Sequence, residues 1–239
     1  MVVICRWLTY FCNMHYLFKL IFALLLLNLW ACGEVDSATE ATTPLTVIHD
    51  SFTDSRDGYL YGTVQVGTQI WMVENLRYLP QLNGVEFSTN LAKYYVFGYN
   101  GTDVSVAREL EKYQAYGVLY NWVAASTACP VGWHLPTASD WDTLIQVLGG
   151  SQVAGRKLKA ADGWKSIANG SDEINFSAMP SGFFHNGIFN SEFYYAYWWS
   201  AEQPGGNSSV VYYIHDQRDD FENTIQPKFN GYAVRCVQN

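Results

Sequence analysis

The strongest apolar run in the chain is Leu20–Trp30, LIFALLLLNLW, eleven residues with Asn28 as its one polar break. It decides which part of the sequence has to fold. A helix needs about 20 apolar residues to span a bilayer. This run is too short for that and has the length of a signal-peptide core. Lys19 supplies the positive flank that export requires. A start at Met14 would give the leader MHYLFKLIFALLLLNLWAC, a more usual length than the numbered one. N-terminal sequencing of the precursor distinguishes the two starts.

Leu29-Trp30-Ala31-Cys32-Gly33 resembles a bacterial lipobox, with Leu29 and Ala31 in the matching places and Trp30 as a departure. The resemblance implies that residues 1–32 are a lipoprotein signal and that Cys32 is lipidated. The protein is then exported and anchored to the cell envelope, with the outer membrane the expected location. The alternatives are an uncleaved anchor or an ordinary signal with a chance cysteine. A single acyl chain holds weakly, so lasting attachment takes more than one. Residues 33–44, GEVDSATEATTP, cannot bury enough apolar surface to order themselves and read as a flexible tether. Asp36-Ser37-Ala38 resembles the short O-glycosylation signal of Bacteroidetes. One folded domain is expected over residues 45–239.

Arg6 and Lys19 are the only charged residues up to Cys32, so the remainder carries 12 basic and 22 acidic residues, a net charge of −10. Such a surface repels phosphate backbones, and no basic cluster is present, so nucleic acid is not an expected partner. Aromatic residues make up 16% of the chain, with 17 Tyr and 9 Trp. That exceeds the need of a generic core, and Tyr and Trp suit both cores and binding faces.

Cys5 and Cys12 fall in the leader, which leaves Cys129 and Cys236 in the domain. Two cysteines in an exported domain are expected to pair. A metal pair is the alternative, and two Cys without nearby His make a poor metal site.

Val64 and Val66 alternate with Thr63 and Gln65, the period of a half-buried strand. With the Gly67-Thr68 turn this predicts a hairpin over Tyr61–Met72. Leu119, Trp122, Val123 and Ser126 predict a helix over Tyr116–Ser126. Trp141, Leu144, Ile145 and Leu148 recur at helical spacing. Thr137 and Asp140 cap that helix, and Gly149-Gly150 ends it. No helix is expected from Gly155 onward. Val210–Ile214 and Tyr232–Val237 read as strands, the latter after an Asn230-Gly231 turn.

Several blocks now become specific. Val66–Leu76 reads VGTQIWMVENL and Tyr116–Trp122 reads YGVLYNW. Cys129–Thr137 reads CPVGWHLPT, followed by Asp140-Trp141; then come FSAMP from Phe176, WWSAE from Trp198, and VRCV from Val234. In this order they resemble the Fibrobacter succinogenes major paralogous domain family, over roughly residues 55–239. The Leu135-Pro136-Thr137 block followed by Trp141 also resembles the formylglycine-generating enzyme group, whose fold is a variant of the C-type lectin fold. The resemblance implies an α+β, C-type-lectin-like domain with two short helices, short antiparallel strands and long irregular loops. Fold alone does not imply function.

Three functions are compatible with such a domain. The first is a non-enzymatic binding domain at the cell surface that recognises polysaccharide, with Tyr94, Tyr95, Phe97, Tyr99, Phe184, Phe189, Tyr194 and Tyr195 as candidate contacts. For each of these the competing role is core. Trp133, Trp141, Trp198 and Trp199 are read as core. The second is a structural or assembly subunit of a surface protein complex. The third is a degenerate catalyst like the formylglycine-generating enzyme, which uses two late Cys to hold copper. Here only Cys236 is late, which removes that chemistry. His134, His185 and His215 lie in no catalytic motif, and His134 reads as hydrogen-bonded and structural. Asp219, Asp220 and Glu222, or Glu202 with Asn207, offer oxygen ligands suited to Ca²⁺, but such runs are more often solvated loop charge. The Trp-Asn-Asp calcium signature of lectins is absent. No cofactor, metal or catalytic residue is expected.

Overall fold

A computed structural model describes residues 47–165 and 168–239. Twelve strands and five short helices lie among them, and every strand pairing is antiparallel. The expected mixed α+β class is therefore present.

The expected hairpin is β2 (Leu60–Val66) and β3 (Gln69–Met72). Val66 pairs with Gln69, so Gly67 and Thr68 form a two-residue turn, and Gly67 sits at φ +62°. A positive φ at the first turn position costs glycine nothing. β1 (Val47–Thr53) adds to the outer edge of β2 in seven register pairs. Its side chains are almost all exposed, so it has no buried alternation to read in the sequence. The chain's end, β12 (Val237–Gln238), lies between β3 and β6 (Trp133–His134), completing the order β1-β2-β3-β12-β6. Cys236 and Cys129, with Cα atoms 5.9 Å apart, form the expected disulfide beside that junction.

The predicted helix over Tyr116–Ser126 is not formed. Helices α1 (Val104–Arg108) and α2 (Glu111–Tyr116) precede it. Gly117 then turns the chain at φ +71°, where a Cβ would lie 2.8 Å from the Leu76 carbonyl oxygen. Leu119–Tyr120 is instead a short strand, β5, paired with β4 (Tyr94–Tyr95). Only Trp122–Ala125 is helical (α3), started by the Asn121 side chain, which accepts from the Ala124 amide. The apolar spacing was that of separate core contacts, not of one helical stripe.

The next helix, α4 (Ala138–Val147), matches the expectation, with a complete Thr137/Asp140 capping box and Trp141, Leu144 and Ile145 buried. Gly149 and Gly150 end it, and the chain restarts at once as α5 (Ser151–Leu158). α5 has no side-chain cap and carries Gly155 at its centre, so local sequence signals argue against it. Tertiary packing against β11 decides the matter.

The C-terminal half forms a hairpin, β7 (Phe183–His185) and β8 (Ile188–Asn190), and a three-stranded sheet. That sheet has β10 (Ser208–His215) between β9 (Tyr195–Trp199) and β11 (Phe221–Pro227). The strand expected at Val210–Ile214 is thus present and longer. The one expected over Tyr232–Val237 shrinks to β12. Gly231, Tyr232 and Ala233 bridge singly to Phe184, Tyr120 and Trp198, because this stretch threads the core and finds a different partner at each residue.

Two aromatic clusters fill the interior. Trp71, Trp141, Trp198, Tyr212 and Phe221 pack between the helices and one face of the β9–β11 sheet. Tyr61, Tyr120, Trp199 and Tyr232 lie in the other cluster, which also holds Trp133. The four tryptophans read as core are all buried.

Candidate functional site

Strand alternation gives the β9–β10 pair two different faces. Ala196, Trp198, Tyr212 and Ile214 point into the core and are buried, while Tyr195, Tyr197, Tyr213 and His215 are half-buried on the other side. The register sets Tyr197 opposite Tyr213 and Tyr195 opposite His215. Tyr195 and Tyr197 are nearly parallel at 5.3 Å, and Tyr197 stacks on Tyr213, also at 5.3 Å. His215 meets Tyr195 edge-on at 4.4 Å. The result is a ladder of rings that starts at the margin of the second cluster, where Tyr197 packs on Phe183 and Tyr232 at 5.5 and 5.1 Å, and continues through the partly exposed Tyr195, Tyr213 and His215.

The outer rung is held by charge. The Tyr213 hydroxyl donates to Glu222 Oε2 at 2.7 Å, and Arg218 Nη2 donates to the same oxygen at 2.8 Å. The hydrogen bond to Glu222, then burial, raises the Tyr213 pKa, so the phenol stays neutral. The bond from Tyr213 outweighs burial at Glu222 and lowers its pKa, so the carboxylate stays charged. Rings of this kind offer apolar faces for stacking and hydroxyls for hydrogen bonds.

A cleft of about 610 Å³ opens beside the ladder, lined by Arg156, Lys159, Lys165, Asn169, Tyr194, Asp216, Gln217 and Asp219 among others. Lys159, only 2% exposed, donates to the carbonyls of Asp216 at 3.2 Å and Arg218 at 2.7 Å, with its Nζ 5.1 Å from the Trp164 ring. Burial lowers its pKa, against the nearby Asp219, Asp216 and Asp220 charges. Asp216 is 5% exposed. Its Oδ1 lies 3.1 Å from His215 Nδ1, but that nitrogen already accepts the Gln217 amide hydrogen at 2.9 Å. In the neutral tautomer with its proton on Nε2, Nδ1 accepts and does not donate, and Oδ1 is then a buried acceptor without a donor among the described residues.

Of the eight aromatic contacts expected from sequence, only Tyr194 and Tyr195 reach these features. Tyr194 is 40% exposed and lines the cleft, and Tyr195 begins the ladder. Tyr95, Phe97 and Phe184 are buried, with Tyr95 and Phe184 stacked at 3.9 Å. They are core residues and not available to a ligand in this fold. Tyr94, Tyr99 and Phe189 pack against the core from its margin. His134 bonds Asn239 and Asp140, holding the chain's end to the α4 cap. Asp220 and Glu222 pair with Arg218, and Asp219 lies 3.8 Å from Arg156. Cys32, the leader and the tether lie outside the described residues.

Tyr197, Tyr213, Lys159 and Asp216 were not singled out by sequence. Tyr195 and Tyr197 at i, i+2 did carry a signal, since on a strand that spacing puts both on one face. Lys159 and Asp216 are 57 residues apart, and no local pattern joins them.

Together these features define a disulfide-closed α+β domain with an aromatic sheet face and an adjoining charged cleft. The model of the Fibrobacter succinogenes major domain matches residues 64–238, and the chain belongs to that family, as its sequence blocks predicted. No curated protein and no solved structure matches the chain. Among the described residues no helix is long and apolar enough to cross a membrane.

Proposed function

We propose that this protein is an exported, lipid-anchored, non-enzymatic binding protein that recognises polysaccharide on the Tyr195–Tyr197–Tyr213 ladder. The observation that carries the reading is the partly exposed row of stacked rings, fixed by backbone register and by Glu222. Sugar rings present apolar faces that stack on such rows. The lipobox at Cys32 and the leader support export and anchoring, with the outer membrane as the destination. Helices α4 and α5 ahead of the late strands, and the bridge from the middle to the end, support a C-type-lectin-like arrangement.

The test is a screen of the full chain in detergent against a glycan array and insoluble polysaccharides, with Ca²⁺ or EDTA. Saturable binding that survives EDTA and falls at least about tenfold in Tyr213→Ala is expected, the loss of one stacking pair being on the order of 1.4 kcal/mol or more. A clean negative from folded protein counts against the reading. For the anchor, Cys32→Ala should abolish metabolic labelling with palmitate, and retained labelling contradicts it.

A second reading, an assembly subunit, draws on a different surface. Phe87, Leu91 and Ile188 are 51%, 65% and 63% exposed, and Phe87 packs on Phe229 at 5.5 Å. A concentration-dependent mass in sedimentation would favour it.

A further inference from the structure

We propose that the cleft beside the tyrosine ladder binds the carboxylate of an acidic saccharide, so that a uronate-bearing chain lies across both features. This rests on the ladder being a saccharide face and adds the class of sugar. Of the 12 Lys and Arg after Cys32, three line this one cleft, in a segment that is otherwise strongly acidic. Arg156 and Lys165 are exposed and reach solvent. The Arg156–Asp219 pair is long, at 3.8 Å, and exposed on both sides, so it holds the guanidinium weakly. An ammonium has three donors. Carbonyls take two from Lys159, leaving one.

The acceptor side narrows the ligand further. Asp216 needs a donor at Oδ1 and has none, a costly state for a buried carboxylate. A phosphate would bring more negative charge against Asp216 and Asp219. A neutral sugar would satisfy Asp216 and ignore the cations. A uronate offers both groups: a single negative charge for the cations and hydroxyls for Asp216. Tyr194 provides a ring at the cleft wall, with Lys165 Nζ 5.8 Å from its centre.

The two features also share a frame. Tyr194 and Tyr195 are consecutive and serve the cleft and the ladder respectively, as do Asp216 and His215. The Asp216 amide donates to the Tyr194 carbonyl at 2.8 Å, locking the two pairs together. A bound chain can therefore stack on one side and place its acid group on the other.

Calorimetric titration tests this with the full chain in detergent. The probes are hexamers of galacturonate, glucuronate and mannuronate, each beside its methyl ester, which keeps the ring and removes the charge. At least one acid should bind about tenfold more tightly than its ester, with the preference shrinking at high salt. Arg156→Gln and Lys165→Gln, both at exposed positions, should each bring the acid-to-ester ratio toward one. Tyr213→Ala should weaken acid and ester together. Equal affinity for acid and ester, with both lost in Tyr213→Ala, overturns the acidic specificity and leaves the ladder reading standing. Binding of neither form overturns both. A preference for acid that persists in the Arg156→Gln, Lys165→Gln double variant places the charge recognition elsewhere and overturns the cleft assignment.

Discussion

Arg235 is a fully buried cation with no carboxylate among the described residues in an ion pair with it. Its Nε and Nη2 donate to Asn75 Oδ1 at 3.2 and 2.8 Å, and Nη1 donates to the carbonyls of Val73, at 2.8 Å, and Phe176. The Phe176 ring lies 4.2 Å from the guanidinium carbon. Burial pushes its pKa down to about 9, with Glu74 and Asp172 opposing, so it remains a cation at neutral pH. It joins β3, the Phe176 segment and the last strand beside the disulfide. Arg235→Met leaves the Val73 and Phe176 carbonyls without this donor, while Asn75 Oδ1 keeps the Trp198 indole N–H at 2.8 Å, and we expect a loss of about 1–3 kcal/mol in urea unfolding. A change under about 1 kcal/mol would show that the network is dispensable. Two partly buried carboxylates contribute to the acid limit. Burial raises the pKa of Asp54, but hydrogen bonds and charge from Arg56 outweigh it and leave the pKa lowered. At Asp140 burial is likewise outweighed, by Thr137 and His134. The folded groups bind protons less readily than the unfolded chain. Their stabilisation is therefore present above the unfolded carboxylate pKa of about 3.9 and is lost as pH falls through the lower folded values. Asp54→Asn should flatten the acid limb of the stability curve, and an unchanged limb contradicts this.

At the scale of elements, Gly155 shows why α5 escaped a local reading. Glycine weakens a helix interior by about 0.5–1 kcal/mol relative to Ala. A Cβ here would lie 2.2 Å from the Asp220 carbonyl oxygen and 2.7 Å from that of Asp219. The helix approaches the Asp219–Asp220 segment ahead of β11 backbone to backbone, and the Arg156 amide donates to the Asp219 carbonyl at 3.1 Å. Gly155→Ala should therefore destabilise by roughly 1–3 kcal/mol despite its better propensity. A gain in melting temperature would refute the close packing. Thr137→Ala should cost about 1 kcal/mol through loss of the cap. The elements legible in sequence, α4 and the β2–β3 hairpin, are those whose own residues supply start, stop and buried face. β1 has exposed side chains and depends on β2. Leu119–Tyr120 is a strand because Tyr94–Tyr95 lies beside it. In the candidate site, Tyr194 and Tyr195 were legible as aromatic excess. Their partition into cleft and ladder was not, because it depends on pairing with β10.

At the scale of the molecule, the Cys129–Cys236 bridge closes a loop of 107 residues and fixes the final strand inside the sheet. The loop-entropy model gives such a crosslink roughly 4–5 kcal/mol, with measured values often lower. Reduction should lower the unfolding midpoint without changing the fold at low temperature, and loss of all structure would show that the core alone is insufficient. The same closure fixes Ala233 against β9, through its amide to the Tyr197 carbonyl at 3.1 Å, so the ladder is built on a rigid frame. That rigidity is central to the functional account, since a preformed face binds without ordering its side chains first. The most direct measurement is heteronuclear NMR on protein with ring-labelled tyrosine, titrated with cellohexaose, xylohexaose and hexagalacturonate. Saturable shifts of the Tyr195, Tyr197 and Tyr213 rings are expected with at least one of the three. Shifts confined to other tyrosines, or none with any of the three on folded protein, would contradict it.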